Sequence, residues 1–182
     1  MEGIIIELAG ANLLLSMVSI KDLDFVCRIE CDRNLWYFEE YVESDKNVVR
    51  EEYIQKIEEK EKPTSYDFIV TVASDKNKAP IGLAQIWISS KYRKSWEIGF
   101  AILPEYRGKG YGREAAKLLL QFAFKKLDAH KVVGMCNSNN ISSAVLMEHI
   151  GMRREAIFKE ELFWQNKWVD QYYFSILKKE FL

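Results

Sequence analysis

The chain is 182 residues long, enough for one domain with a sizeable core. Its 26 lysines and arginines nearly cancel its 27 aspartates and glutamates, so no global basic field points to nucleic acid. The apolar stretch 4–20 is broken by Glu7, Gly10 and Asn12 and is preceded by one charge, Glu2, which argues against a bilayer span and a basic-headed secretion signal; a cytoplasmic protein is expected.

In chain order, residues 13–18 read as a first strand and 21–30 as a helix. A second helix is expected over 34–42. A third is expected over 46–62, where Val49, Tyr53 and Ile57 recur at i, i+4 and i+8 and Pro63 sets the stop. Strands 66–73, 81–89 and 96–103 follow, and the short polar connectors 75–78 and 91–94 imply antiparallel hairpins. A helix over 114–127 carries Ala116, Leu119, Leu120, Ala123 and Leu127 on one face. Strand 131–136, helix 141–150 closed by Gly151, and strands near 157–164 and 168–176 complete the chain. The sequence thus predicts one α+β domain, residues 1–182, on a mixed, mostly antiparallel sheet. Cys27, Cys31 and Cys136 form no disulfide framework, no Cys-His pair completes a metal site, and His130 and His149 stand alone. Reduced thiols and no metal are expected.

Residues 104–114, Pro-Glu-Tyr-Arg-Gly-Lys-Gly-Tyr-Gly-Arg-Glu, join a strand to a helix. Glycines let successive backbone N–H groups turn toward one point, and the helix adds its unpaired N–H groups and positive dipole end. Arg107 and Lys109 stand among the glycines, and a phosphate or pyrophosphate fits there. The G-x-G-x-G spacing matches neither the P-loop, which needs Lys followed by Ser or Thr, nor the dinucleotide fingerprint, whose third glycine would fall on Arg113.

Arg107-Gly108-Lys109-Gly110-Tyr111-Gly112 resembles the acyl-CoA pyrophosphate loop, Q/R-x-x-G-x-G/A, of the GCN5-related N-acetyltransferases (GNAT). Asn140-Ile141-Ser142-Ser143, with Gly151-Met152-Arg153-Arg154-Glu155 beyond it, resembles the N-x-x-S … G-F-x-x-E-G segment of the branch that acetylates ribosomal-protein N-termini. Trp96-Glu97-Ile98-Gly99-Phe100 and the tail Asn166–Tyr173 are similar to two further motifs of that branch. The resemblance implies the GNAT fold, with helices on both faces and two central strands, ending near Leu103 and at 131–136, that splay apart like a V. It implies acetyl-CoA as cofactor, without metal. Ala101, Ile102 and Leu103 would offer backbone bonds to the pantetheine arm, Arg107, Gly108, Lys109, Gly110, Tyr111 and Gly112 would hold the pyrophosphate, and Asn140 and Ser143 would face the distal arm. A homodimer is compatible with the branch.

Glu97 is the candidate base. Strand alternation sets it with Gly99 and Ala101, opposite Trp96, Ile98, Phe100 and Ile102, and partial burial would raise its pKa; the alternative is a structural glutamate. At the position where many relatives place an acidic tyrosine this chain has Met147, so Ser143 is the candidate to protonate the leaving sulfur, with helix capping as its alternative and Tyr172 and Tyr173 in reserve. Trp36, beside Tyr37 and Phe38, and Trp87 are candidate walls of the acceptor pocket, or core. The segment 39–61 holds nine acids against four bases, attractive to a cationic substrate or a solvated helix face. About a tenth of a protein α-amine is neutral at pH 7, against far less of a lysine amine. With the branch resemblance, this favours a protein or peptide N-terminal α-amine as acceptor. The alternatives are a polyamine or small amine, and a non-catalytic acyl-CoA-binding module.

Overall fold

The computed structural model describes residues 6–59 and 63–181. In chain order the elements are β1 (Glu7–Ala9), β2 (Leu13–Met17), α1 (Leu23–Glu30), α2 (Lys46–Glu58), β3 (Ser65–Val72), β4 (Pro80–Ser90), β5 (Ser95–Ile102), α3 (Tyr111–Lys125), β6 (Lys131–Asn137), α4 (Ile141–His149), β7 (Arg153–Trp164), β8 (Lys167–Leu177) and α5 (Lys178–Phe181). One sheet of eight strands runs β1-β2-β3-β4-β5-β6-β8-β7. Every neighbouring pair is antiparallel except β5 and β6, which are parallel.

Period-two alternation divides the apolar residues between the two faces. Phe68 and Val70, Ala84 and Ile86, and Trp96, Ile98 and Ile102 pack against α3 through Ala115, Leu119 and Phe122. On the other face Ile69 and Leu83 pack against Val26 and Ile29 of α1 and Val49 and Tyr53 of α2. Each fully buried Leu, Ile or Phe contributes roughly 1.5–3 kcal/mol, so both layers hold the sheet.

The parallel pairing of β5 with β6 covers only Ser95–Lys131, Trp96–Val132 and Glu97–Val133. Both strands continue beyond it without pairing to each other, which opens the V-shaped gap in the middle of the sheet.

Several sequence expectations are corrected. Residues 34–42 form turns, not a helix. Asp32 Oδ1 accepts from the N–H groups of Asn34 (2.9 Å) and Leu35 (3.2 Å), and the carbonyls a helix would need are taken by side chains. Trp164 Nε1 donates to Tyr37 O (2.8 Å) and Asn137 Nδ2 to Phe38 O (3.3 Å). The helix expected to reach residue 62 ends at Glu58, where Glu59 turns extended; 60–62 lie outside the described residues. α3 begins three residues before the expected Glu114, and the short strand β1 was not foreseen. Among the described residues no helix is long and apolar enough to cross a membrane. No group of three His, Cys, Asp or Glu among them is placed to hold a metal, and all three cysteines are free thiols.

Candidate active site

After β5 a 3-10 turn over Pro104–Tyr106 leads to Gly110, the residue that caps the start of α3. Gly108 and Gly110 have φ of +75° and +82°, in the left-handed region where a Cβ is strained. Nothing lies within 4 Å of a Cβ built on either, so the cradle outside them is open. The first intrahelical bond runs from Glu114 N to Gly110 O (3.0 Å). The N–H groups of Tyr111, Gly112 and Arg113 precede it and have no helix acceptor. With exposed Arg107, Lys109 and Arg113, they form a cationic cradle suited to a diphosphate. The carboxylate of Glu114 fastens this helix start to the β1–β2 hairpin, accepting from Asn12 N (2.7 Å), Leu13 N (3.1 Å) and Asn12 Nδ2 (3.0 Å). Desolvation pushes its pKa up, but the bonds from Asn12 and Leu13 outweigh it, and the net shift is downward.

The gap beside the cradle presents free backbone. Leu103 N donates to Ile81 O (2.9 Å), and Ala101 stands opposite Leu83. Antiparallel alternation therefore commits the backbone of Ala101 and Leu103 to β4 and aims that of Ile98, Phe100 and Ile102 at the gap. Of the three residues expected to bond a pantetheine arm, only Ile102 faces it; Ala101 and Leu103 are corrected to their neighbours. The Ile102 carbonyl already accepts from Arg107 Nε (3.0 Å), so this arginine turns back onto β5.

On the α1/α2 face, a cavity of about 410 Å³ lies where the gap opens, bounded by Glu97 and Gly99 of β5 and by Met135 and Cys136 of β6. Trp36 and Trp87 both line it. Trp87 stands opposite Glu97 in the ladder, which sets its indole beside the Glu97 carboxylate. Burial raises the Glu97 pKa, the Trp87 indole opposes this, and the nearby Glu39 charge adds to the rise. Trp36 is anchored by its indole N–H on Ile29 O (3.0 Å). Residues 36–43 overhang the cavity and are clamped to the β7–β8 hairpin. Phe38 stacks on Trp164 with ring centres 5.6 Å apart, and Phe163 N donates to Glu40 Oε1 (2.6 Å).

The cavity floor holds a polar group that sequence reasoning missed. The two N–H groups of Gln85 Nε2 are shared among Glu30 Oε1 (3.0 Å), Tyr53 Oη (3.0 Å) and Asp67 Oδ1 (2.9 Å), and Tyr53 Oη donates to Glu30 Oε1 (2.7 Å). Burial raises the Glu30 pKa more than the Tyr53 bond lowers it. The Tyr53 hydroxyl is held far above the ordinary phenol range by burial and by the Asp67 and Glu30 carboxylates, so it serves only as a neutral donor.

The structure does not bring Ser143 into the same cavity as Glu97. Ser143 lies against the Cys136 thiol, which lines the cavity and whose pKa is pushed up to about 11 chiefly by burial. Asn140 caps α4, its Oδ1 accepting from Ser143 N (3.1 Å) and Ser142 Oγ (3.0 Å), so its side chain serves the helix start. Met147 is buried in the core, with its Cε 2.6 Å from where a Cβ on Gly134 would sit; glycine on β6 lets α4 approach the sheet. Tyr172 and Tyr173 do not line the cavity, and each carries a cation over its ring, Arg154 and Lys131.

A phosphate cradle, an unpaired strand edge and an acidic cavity at one split in the sheet define an acyl-transfer architecture. Residues 12–153 match the family model described as the acetyltransferase (GNAT) domain, and the chain belongs to this family. It is an acetyl-CoA-dependent N-acetyltransferase, and the open cradle and free gap backbone fit that cofactor. The spermidine N(1)-acetyltransferase of Vibrio cholerae is 27% identical over 176 residues, 95% of this chain and 97% of that protein. An uncharacterised N-acetyltransferase of Bacillus subtilis, YnaD, is 42% identical over 86 residues; the match spans 47% of this chain and about half, 51%, of that relative. A putative ribosomal N-acetyltransferase of the same organism, YdaF, is 28% identical over 99 residues, 54% of each chain. The crystal structure of Vibrio cholerae spermidine N-acetyltransferase in complex with CoA and spermine is similar at a TM-score of 0.82 and 26% identity, over 94% of this chain and 99% of that one.

Proposed function

We propose that this enzyme acetylates polyamines and related small cationic amines. The charge of the cavity carries the proposal: among the described residues Glu30, Glu39, Glu40, Glu43, Glu52 and Glu97 line it against a single cation, Lys56. A polycation entering such a cleft is drawn by the local field. The expectation of a ribosomal-protein N-terminus as acceptor is corrected, because the spermidine enzyme is matched along 97% of its length and the ribosomal relative along 54%.

When bound, acetyl-CoA supplies an acetyl group activated as a thioester. In the proposed mechanism the N–H groups of Tyr111, Gly112 and Arg113, with Lys109, hold its diphosphate, and the gap-facing backbone of Phe100 and Ile102 orients the arm toward the cavity. Polyamine amines are charged at neutral pH, near the lysine value of about 10.4, so the acceptor must lose a proton before it attacks. Glu97 takes that proton, with the Trp87 indole beside its carboxylate and burial raising its affinity for the proton. Ser143, against Cys136 on the β6 side of the gap, is the hydroxyl proposed to return a proton to the departing sulfur. Trp36 and Trp87 wall the acceptor's methylene chain.

The test is an amine panel of spermidine, spermine, short diamines and peptides with free N-termini, scored by CoA thiol release and product mass. Turnover of polyamines with none on peptides is expected. Peptide turnover without any polyamine product would overturn the proposal.

A further inference from the structure

Two carboxylates accept from Gln85, Glu30 and Asp67, but only Glu30 lines the cavity, and the two are not equivalent. Asp67 is 8% exposed and its charge is answered by Lys56, whose Nζ lies 3.5 Å from Asp67 Oδ2. Glu30 has no such partner: among the described residues no lysine or arginine forms an ion pair with it. Both bonds it accepts, from Tyr53 and Gln85, fall on Oε1, and among the described residues Oε2 accepts none. Lys56 acts on Glu30 only from a distance, being paired to Asp67, and a desolvated carboxylate held by neutral donors without a cation of its own is the arrangement that a cationic ligand completes. Its position in the wall of the same cavity as Glu97 makes it accessible to one.

From this we infer that Glu30 is the counter-ion for a second ammonium of the acceptor, and thereby selects amines that carry another positive centre a fixed distance from the reacting nitrogen. The inference rests on the polyamine proposal above and specifies its geometry. In the ladder Glu97 stands opposite Trp87 and Gly99 opposite Gln85, the residue that holds Glu30. Two residues along a strand span about 6.6 Å, so the carboxylates of Glu97 and Glu30 flank a floor on the order of 7–10 Å long. Nitrogens about 2.8 Å from each carboxylate, lying above the floor and only about 1.5 Å inward at either end, are left roughly 4–7 Å apart. Extended chains of three and four methylenes separate terminal nitrogens by about 5 and 6 Å. The favoured acceptor therefore ends in an aminopropyl or aminobutyl unit, with the inner ammonium on Glu30 and the outer amine at Glu97. Tyr53 and Gln85 are positioning residues, since they hold the Glu30 carboxylate without meeting the ligand's charge.

The experiment compares 1,3-diaminopropane, 1,4-diaminobutane and 1,7-diaminoheptane with n-butylamine on the full-length enzyme, in the wild type, Glu30→Gln and Glu30→Asp. Thermal stabilisation by acetyl-CoA, measured alongside, confirms that each variant is folded with an intact cofactor site. Wild type should prefer the two short diamines over n-butylamine. Glu30→Gln should lower kcat/KM for them by about tenfold or more, through KM, and lower it for n-butylamine by a much smaller factor. Glu30→Asp keeps the charge but withdraws it by one methylene, and should move the preference from 1,3-diaminopropane toward 1,4-diaminobutane. Loss of the same factor on diamines and n-butylamine, or no change in their ratio in either variant, overturns the role of Glu30. A wild-type enzyme that acetylates none of these amines, nor spermidine, overturns the polyamine proposal itself, and that failure is visible without any variant.

Discussion

Replacing Gly110 with alanine tests the cofactor cradle directly. Gly110 sits at φ +82° immediately before α3, and a Cβ there meets nothing within 4 Å. The substitution therefore introduces no clash, only the backbone strain of a left-handed L-residue, about 1–2 kcal/mol. For a domain of this size each kcal/mol moves Tm by about 2–4 °C, so Gly110→Ala should melt roughly 2–8 °C below wild type. If the loop relaxes instead, its N–H groups turn away from their common point, and a loss of about 1.4 kcal/mol there appears as a tenfold weaker Kd for acetyl-CoA. Differential scanning fluorimetry and calorimetric titration read the two effects separately. Gly110→Asn is the control, because asparagine tolerates this region better, and it should lose less on both scales. An alanine variant with wild-type Tm and wild-type Kd would refute the conformational account, as would an asparagine variant worse than the alanine.

Three further outcomes are expected. Glu97→Gln should lower kcat by roughly 10²–10⁴-fold. Because the Glu97 pKa is raised and the group must be ionised to accept a proton, the wild-type rate should fall on acidification at a pH above the ordinary glutamate range, and the variant should lose that limb. Glu114→Gln should cost about 1–2 kcal/mol in urea denaturation at pH 7 by weakening the bonds from Asn12 and Leu13. The Glu114 pKa is depressed in the folded state, so its contribution is full above the unfolded value of about 4.3 and lost as pH falls through the folded one; the gap between variant and wild type should narrow progressively on acidification below the unfolded value. Asn140→Ala removes the acceptor that caps α4 and should cost about 1 kcal/mol by the same denaturation assay.

What was legible in the sequence was local. The alternation in 96–103 separated Glu97 from Trp96 and Ile98 correctly, and the stripe Val49, Tyr53, Ile57 found the packed face of α2. The glycine loop announced its own backbone. Residues 34–42 misled because Trp36, Tyr37 and Phe38 supply an apolar run, while the groups that hold them, Asn137 and Trp164, are about a hundred residues away or more. Glu30 was invisible for the same reason: it ends a short amphipathic helix, and its partners Tyr53 and Gln85 lie 23 and 55 positions along the chain. Backbone direction was also beyond residue counting. Whether Ala101 or Phe100 faces the gap depends on the register of β4 against β5, fixed here by the bond from Leu103 N to Ile81 O.

The clamp between Tyr37 and Trp164 has a consequence for how the enzyme comes into being. Its two halves are separated by 127 residues, and the hairpin that supplies the second half lies beyond the region matched by the family model, which ends at residue 153. Contacts of that sequence separation form late, after the entropy of closing the intervening chain has been overcome. The cradle at Gly108–Gly110 is built on one strand, one turn and the helix that follows, with a distant fastening of its own from Glu114 to Asn12, 102 residues away. The clamp and the cradle thus rest on different parts of the chain, and a lesion confined to the Tyr37–Trp164 contact should leave a protein that binds acetyl-CoA but discriminates less among acceptors.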